Sequence, residues 1–214
     1  MCVKSKDRRT ISLGFTDERV LEGQHICYIY KDDSERLRVM AKFFESGLQM
    51  NEKMLYLVDA MTPDEMLECL EELGVDVRSK PAALTMKEAA STYCPHGVFT
   101  PQEILDLARD FYLQAVNEEG YAGARGTGEM SWCLVEGRTD RRVLMEYEAH
   151  LDILLAEYPV TACCQYDARR FDGNTIMDVL ALHPVTIIHG QLVKNPYYIG
   201  TERFLREYNA SEIG

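Results

Sequence analysis

The chain has 214 residues, 46% of them hydrophobic, and a formal net charge of −12 at pH 7. This length and this apolar fraction are typical of one globular domain. The acidic balance disfavours direct binding to nucleic acid, which requires a basic face, and the apolar runs are too short to span a membrane. Residues 1–15 are basic but lack the apolar segment of a secretory signal, so we expect a cytoplasmic protein.

The first predicted elements look like the opening of a nucleotide-binding fold. Residues 25–30 (HICYIY) predict a buried strand, residues 34–48 an amphipathic helix and residues 53–59 a second buried strand. In a P-loop protein a glycine-rich loop joins the first strand to the helix and holds phosphates. Here the turn is residues 31–34 (KDDS), which contains no glycine and two acids that repel phosphate. We therefore expect the scaffold without a Walker A loop and without ATP.

Helix and strand signals alternate along the rest of the chain. In chain order they are a helix at 62–74, a short strand at 82–86, a loop at 87–99, a helix at 100–119, a loop at 120–128, a strand at 129–135, a helix at 139–158, a strand at 160–167, a helix at 174–183, a strand at 185–190 and a helix at 201–208. Apolar strands separated by helices predict a three-layer α/β fold with a mostly parallel central sheet. We interpret residues 1–19 as an N-terminal tail and residues 20–214 as a single domain.

The segment 120–128 (GYAGARGTG) is the most glycine-rich part of the chain. A phosphate-binding glycine loop follows a strand and opens a helix. This segment instead follows a predicted helix and precedes a predicted strand, so we expect a flexible connection rather than a phosphate site.

Several short motifs occur in a characteristic order within about residues 20–200. They are HICYIY (25–30), FESGL (44–48) with Glu52 and YLV (56–58), GEMSW (128–132), Tyr147-Glu148, CQYD (164–167), His183-Pro184 and NPYY (195–198). This order resembles the MEDS family, the methanogen/methylotroph DcmR-type sensory domain. The family itself resembles a degenerate relative of RecA/KaiC-type ATPases. Those ATPases have a G-L-x-x-G-E segment before the second strand. Here Gly47, Leu48 and Glu52 are present, but Asn51 takes the place of the second glycine.

The resemblance implies a RecA-like, P-loop NTPase-like topology and a ligand-sensing input domain for small organic compounds. Such domains are often fused to, or work with, transcription regulators and histidine kinases. Because this sequence shows no helix-turn-helix and no kinase domain, we expect it to signal to a separate transcription regulator or histidine kinase. We expect no direct contact with nucleic acid or membrane, and the sequence leaves a homo-oligomer open.

Polar side chains at the carboxyl ends of two predicted strands form the expected ligand site. In open parallel sheets ligands bind at this edge, and tyrosines there suit a small, partly apolar ligand. The alternative interpretation is a turn whose acids cap helices. The complete set of expected ligand-binding residues is His25, Tyr28, Tyr30, Asp33, Glu129, Trp132, Gln165, Tyr166 and Asp167.

The sequence predicts no catalytic site. Glu129 lies beside core residues and needs a partner, such as Arg125, Arg169 or a donor group of a ligand. No nucleophile, metal or cofactor motif accompanies it, so no catalytic constellation is complete. We therefore expect a binding protein rather than an enzyme, with no cofactor.

A metal- or thiol-dependent sensor is the alternative function. Seven cysteines without a C-x-x-C pair predict free thiols in a reducing compartment. Cys94 and His96 lie in a predicted loop, where a zinc site would need further ligands and a thiol sensor would need a lowered thiol pKa. The further ligands that the chain could supply are Cys27, Cys163, Cys164, His183 and His189.

Two other interpretations remain beside these. His25 and Cys27 share one face of their strand, so they could form a ligand pair or a simple buried histidine beside a small apolar residue. Cys163 and Cys164 are adjacent on a strand and should face opposite sides of the sheet. The weakest alternative for the whole chain is an acidic scaffold that binds a protein partner.

Overall fold

A seven-stranded sheet organises the structure, a computed structural model that describes residues 8–210. The strands of this part of the chain are β1 (Thr10–Ser12), β2 (Arg19–Leu21), β3 (His25–Tyr30), β4 (Glu52–Val58), β5 (Leu84–Glu88), β6 (Gly123–Glu129), β7 (Val160–Asp167), β8 (Val185–Ile188) and β9 (Gln191–Lys194). The order in the main sheet is β5-β4-β6-β7-β3-β8-β9, and only β9 runs antiparallel to its neighbour. β1 and β2 form a separate antiparallel hairpin.

The helices of the described residues alternate with the strands of the sheet. They are α1 (Asp33–Gln49), α2 (Pro63–Glu72), α3 (Ala89–Tyr93), α4 (Pro101–Leu113), α5 (Arg141–Glu157), α6 (Gly173–Leu182) and α7 (Thr201–Ala210). Short 3₁₀ turns occupy Pro81–Ala83 and Ser131–Leu134, and a π-helical turn, Gln114–Glu118, extends α4. Side-chain caps set several helix starts. Thr62 and Glu65 form a capping box at the start of α2, whereas the Thr100 side chain makes no cap at α4.

Two hydrophobic cores fill the space on either side of the sheet. α1 and α2 cover one face, where β3, β4 and β7 contribute Tyr28, Tyr56 and Cys163. α3 to α7 cover the other face, where the same strands contribute alternate residues such as Cys27 and Cys164. This arrangement confirms the predicted three-layer α/β fold and the opposite directions of Cys163 and Cys164.

The glycine-rich segment was the main error of sequence interpretation, because it is a strand and not a loop. Most of it forms β6, which lies between β4 and β7 and ends at Glu129. The predicted strand at 129–135 is wrong for the same reason, since a 3₁₀ turn follows Glu129. Gly128 faces α3 at close range, where an added Cβ would lie 2.3 Å from the Tyr93 hydroxyl oxygen. Glycine is therefore needed for close packing here rather than for chain flexibility.

Two further differences concern the ends of the domain. Residues 8–19 were expected in a tail, but they contain β1, and Ile11 and Leu13 are fully buried in the core beneath α1. The rest of the expected tail, residues 1–7, and the last residues, 211–214, lie outside the described residues. Near the other end, His189 and Gly190 both have positive φ and form the tight turn that returns the chain as β9, a strand that the sequence did not predict.

Candidate functional site

The predicted ligand edge lies at the point where the chain changes direction across the sheet. β3 and β7 are parallel neighbours, and Tyr30 is opposite Asp167 at their carboxyl ends. α1 follows β3 on one face of the sheet, whereas α6 follows β7 on the other. A crevice opens where neighbouring strands send their helices to opposite faces, and this is the usual ligand site of open α/β sheets. The structure thus brings the two predicted polar groups to one edge.

Glu129 closes the inner part of this edge. Its buried carboxylate forms an ion pair with Arg36, accepts a hydrogen bond from the Tyr56 hydroxyl at 2.7 Å, and accepts two from the backbone N–H groups of Asp59 and Ala60 at 2.9 and 2.6 Å. Burial lowers the pKa of Arg36, but the charge interactions with Tyr56 and Glu129 outweigh it and raise the pKa above the ordinary value. Glu129 therefore has a complete set of protein donors, and its hydrogen bonds join the end of β6 to α1 and to the end of β4.

The predicted partners of Glu129 were wrong because other carboxylates hold those arginines. Arg125 forms a buried ion pair with Glu52, on the same face of the sheet as α1. Arg169 donates to Asp167 at 2.7 Å and to Asp33 at 2.9 Å. Arg36 takes the place at Glu129 because it lies one turn into α1 and points back over the sheet.

The outer part of the edge is also closed by side chains of the chain itself. The Tyr30 ring contacts two guanidinium groups, with Arg36 5.2 Å and Arg169 5.9 Å from its centroid. Asp32 caps α1 and accepts a hydrogen bond from the Glu35 N–H at 2.6 Å. A carboxylate of the protein therefore occupies the helix N-terminus that would attract a phosphate in a P-loop protein.

The remaining expected ligand residues divide among separate places. The Tyr28 hydroxyl donates to Glu35 at 3.1 Å, beneath α1. The Gln165 amide donates to the Thr127 hydroxyl at 2.8 Å, and Trp132 stacks on Tyr93 with a centroid distance of 4.5 Å. His25 and Tyr166 instead lie on the opposite face of the sheet, where both contact Glu148. The expected set is thus not one site.

Glu148 belongs to a buried cluster with His25, Cys164 and His183, called the histidine cluster below. One ligand-type atom from each residue lies within 4.8 Å of all the others. Glu148 Oε2 is at the centre, 3.1 Å from His25 Nε2, 3.6 Å from Cys164 Sγ and 3.6 Å from His183 Nε2. The other carboxylate oxygen of Glu148 accepts a hydrogen bond from the Tyr166 hydroxyl. Each residue is at most 4% exposed.

The two histidines of the cluster differ in protonation. Burial lowers the pKa of His25, but its contact with Asp152 and its hydrogen bond to Glu148 raise the pKa to about 9. Burial and the charge of His25 lower the pKa of His183 to about 4, so His183 is neutral. Its Nδ1–H donates to the Val179 carbonyl oxygen at 2.8 Å, which leaves the lone pair on Nε2. Among residues 8–210 that nitrogen has no hydrogen-bond partner.

A small apolar cavity of about 60 Å³ borders the histidine cluster. It lies between the sheet and α4 and α5, with Gly126 and Gly128 on the sheet side and Leu107 and Phe111 on the α4 side. Cys164 also lines it and is thus common to the cavity and the cluster. An added Cβ at Gly126 would contact only Val160, at 3.7 Å, so the absence of a side chain leaves this space open.

Cys94 and His96 do not belong to the histidine cluster. Burial raises the pKa of the Cys94 thiol, which is the opposite of the lowered value that a thiol sensor needs. The His96 side chain is exposed and lies 3.6 Å from Glu103. Within residues 8–210 the group with the geometry for a metal ion is the histidine cluster, which contains neither residue.

The sequence named the members of the histidine cluster without joining them. Cys164 and His183 appeared in separate motifs and as possible partners of Cys94, and Glu148 appeared in the Tyr147-Glu148 motif. Glu148 and Asp152 lie one turn apart on α5 among Leu144, Tyr147 and Leu151, which are all buried. Two acids on an otherwise apolar helix face were the available signal.

The sheet order, with a carboxyl edge closed by the chain's own ion pairs, defines a RecA-like α/β domain without a Walker A loop. The structure is similar to the KaiC-like protein PH0186 from Pyrococcus horikoshii OT3, with a TM-score of 0.60, 13% identity and coverage of 84% of this chain and 79% of that one. It is also similar to the flagellar accessory protein FlaH from Methanocaldococcus jannaschii, with a TM-score of 0.61, 12% identity and coverage of 87% and 84%. These likenesses confirm the predicted fold.

The chain belongs to the MEDS family. The family model described as "MEthanogen/methylotroph, DcmR Sensory domain" matches residues 24–184. The transcriptional repressor DcmR of Methylorubrum extorquens (strain DSM 6343 / CIP 106787 / DM4) is 28% identical over 165 residues, which are 76% of this chain and 58% of that protein. The chain thus spans less than two thirds of the length of that relative. No helix within residues 8–210 is long and apolar enough to cross a membrane.

Proposed function

We propose that this sensory domain binds a small organic compound in the apolar cavity beside β6 and does not catalyse a reaction. The observation that carries the proposal is the contrast between that open cavity and the closed carboxyl edge. Ligand pockets are mostly apolar with a few placed polar groups. The cavity has this character, with five leucines, a phenylalanine and two glycines among the residues of its walls and the Cys164 thiol at one side.

The size of the cavity limits the ligand. On this measure one water molecule needs roughly 10–15 Å³, so 60 Å³ accommodates a compound of only a few non-hydrogen atoms. The apolar walls favour a compound whose surface is mainly carbon, hydrogen or another weakly solvated element, because a strongly polar compound would lose its hydrogen bonds to water.

The closed edge supports a binding role. Glu129, the acid at the carboxyl end of β6, is held by Arg36, Tyr56 and two backbone N–H groups. A general base must reach the proton that it removes, and a carboxylate with four protein donors is not available for that task. This domain therefore uses the fold as a rigid frame for recognition.

The downstream partner of this role is a transcription regulator in the cytoplasm. The curated relative is a transcriptional repressor and is longer than the matched region. The net charge of −12 disfavours direct contact of this domain with DNA. Signalling to a separate regulator, or to a histidine kinase, fits both observations.

A screen of small compounds tests the proposal, with thermal shift and calorimetry as readouts. A hit should raise the melting temperature of the wild type, and Gly126→Ala should abolish most of the shift because the new methyl group enters the cavity. Gly173→Ala is the matched control, since nothing lies within 4 Å of an added Cβ on that α6 glycine. Equal shifts in both variants would place the ligand elsewhere, and Mg-ATP turnover by the purified chain would contradict the non-catalytic assignment.

A further inference from the structure

We propose that the histidine cluster is a binding site for a divalent transition-metal ion of the zinc class, held by His25, Glu148, Cys164 and His183. The four residues come from β3, α5, β7 and the segment between α6 and β8. An ion there would join both central strands to the two helices that cover them. This site is separate from the small-compound cavity, although Cys164 contributes to both.

The spacing of the four ligand atoms fits a tetrahedral ion. With Zn–N and Zn–O bonds of about 2.1 Å and a Zn–S bond of about 2.3 Å, neighbouring ligand atoms lie roughly 3.3–3.6 Å apart. The measured separations from Glu148 Oε2 are 3.1 Å to His25, 3.6 Å to Cys164 and 3.6 Å to His183, and Cys164 Sγ lies 3.8 Å from His25 Nε2. Small shifts of buried side chains are enough to centre an ion among them.

The unpartnered nitrogen of His183 is the second, independent observation. Nδ1 donates to the Val179 carbonyl, so Nε2 presents a lone pair to Glu148 Oε2, which is itself an acceptor. Two acceptors that face each other in a buried site repel one another, and leaving a buried acceptor without a donor is costly. A cation between them satisfies both atoms, whereas a histidine that only filled the core would have its second nitrogen bonded or exposed.

Three of the four proposed ligands also have contacts on the side away from the ion. Metal-binding histidines usually donate the other ring N–H to a carboxylate or to a backbone carbonyl. His25 Nδ1 lies 3.6 Å from Asp152 Oδ1, and His183 Nδ1 donates to Val179. Glu148 is fixed by the Tyr166 hydroxyl. The outer hydrogen bond of His183 thus fixes Nε2 as its metal-binding atom, and Asp152 lies within charge-contact distance of Nδ1 of His25.

The donor set selects the kind of ion. Two imidazoles, a thiolate and one carboxylate suit zinc or a similar transition metal, whereas calcium and magnesium prefer oxygen ligands. Glutamate and thiolate together supply two negative charges, so a divalent ion leaves the buried site neutral. Four protein ligands in a fully buried site indicate a structural ion rather than one with an open position for substrate.

Metal analysis of the full chain, produced without a histidine tag, tests the proposal. We expect about one zinc-class ion per chain after purification. Replacement by Co²⁺ should give visible bands of a tetrahedral site and a near-ultraviolet thiolate-to-cobalt band. Cys164→Ser should remove the thiolate band, whereas Cys163→Ser, an equally buried cysteine that faces the other core, should retain it.

A variant outside the ligand set protects the test against misfolding of Cys164→Ser. Asp152→Asn keeps all four ligands and removes only the carboxylate behind His25, so we expect roughly 10–100-fold weaker metal binding with the cobalt spectrum retained. A chain that neither contains metal nor binds Zn²⁺ or Co²⁺ would overturn the proposal. So would a thiolate band that survives in Cys164→Ser and disappears in Cys94→Ser. A metal-free chain that still responds to small compounds would leave the proposed sensory function intact.

Discussion

Glu129 and Glu148 are both fully buried, but they differ in how their charge is matched. At the edge of the sheet, Glu129 has an arginine, a hydroxyl and two backbone N–H groups as donors. In the interior beneath α5, two histidine nitrogens and a thiol crowd one oxygen of Glu148. One of those nitrogens has no hydrogen-bond partner among the described residues.

The difference separates polar groups that hold the fold from polar groups that indicate a ligand. A buried carboxylate with a complete set of donors needs nothing from outside the chain. A crowded carboxylate beside an unpaired lone pair is the arrangement for which we propose a cation. The carboxyl edge of this RecA-like fold is thus filled by the chain's own ion pairs, whereas a buried nitrogen without a partner among the described residues, His183 Nε2, lies in the interior.

Among the tests of this comparison, we expect the largest loss of stability for Glu129→Gln at the edge. The change leaves the Arg36 guanidinium buried without its counter-charge, and breaking a buried pair in this way costs roughly 3–5 kcal/mol of unfolding free energy. Urea denaturation at neutral pH measures the loss. Glu119→Gln, which removes a carboxylate from a more exposed ion pair with Lys53, should change stability far less. Similar small losses in both variants would show that the edge is not held by charge.

Gly128→Ala tests the interior, where we expect shape to matter more than charge. The new Cβ would lie 2.3 Å from the Tyr93 hydroxyl oxygen, and such overpacking costs roughly 1–3 kcal/mol. Tyr93→Phe in the same chain should restore part of the stability because it removes that oxygen. Gly126→Ala is the control. Gly126 lies two residues before Gly128 on the same strand, and the nearest atom to its added Cβ is 3.7 Å away, so the free energy of unfolding should change little. A neutral Gly128→Ala would contradict the close packing of α3 on β6.

The smallest expected effect is at the outer edge, with Asp167→Asn. The hydrogen bond from Arg169 lowers the pKa of Asp33; burial raises the pKa of Asp167, but Arg169 outweighs it and lowers that pKa too. A lowered carboxyl pKa contributes stability above the unfolded value of about 3.9, and this contribution is lost as the pH falls through the folded value. We expect a loss of about 1 kcal/mol at neutral pH, because Arg169 is half-exposed and solvent screens the pair.

Urea titrations at several pH values check this prediction. The difference between Asp167→Asn and the wild type should shrink below about pH 4 and in high salt. Asp17→Asn, at an exposed site between β1 and β2, is the control for the loss of one carboxylate. A difference that persists in acid would mean that the amide disturbs the turn rather than the charge.

The sequence predicted the fold well wherever local pattern and burial agree. Residues 25–30 and 160–167 were predicted as strands and coincide with β3 and β7, because continuous apolar and β-branched residues specify buried parallel strands. β6 was missed because its inward residues are alternately glycine and polar, so no apolar period marks it. β9 was missed because four residues at the sheet edge are mostly exposed and carry little apolar signal.

The site was harder to predict because its contacts are distant in sequence. Arg36 meets Glu129 across 93 positions, and Cys164 meets His25 across 139. Residue type and spacing showed that Glu129 needed a partner, but only the packing of α1 against the sheet selects Arg36 over Arg125. In the same way, His25 and His183 belong to one site because β8 pairs with β3.

Asp152 gives the interior of this domain a connection to its outer surface. One of its carboxylate oxygens faces His25, and the other accepts hydrogen bonds from the Tyr198 and Thr201 hydroxyls at 3.0 and 2.6 Å. Thr201 begins α7, which packs on the outside of α5 and α6. Asp152 therefore links the buried histidine to the first turn of an outer helix, and the position of α7 depends on the same carboxylate that faces His25.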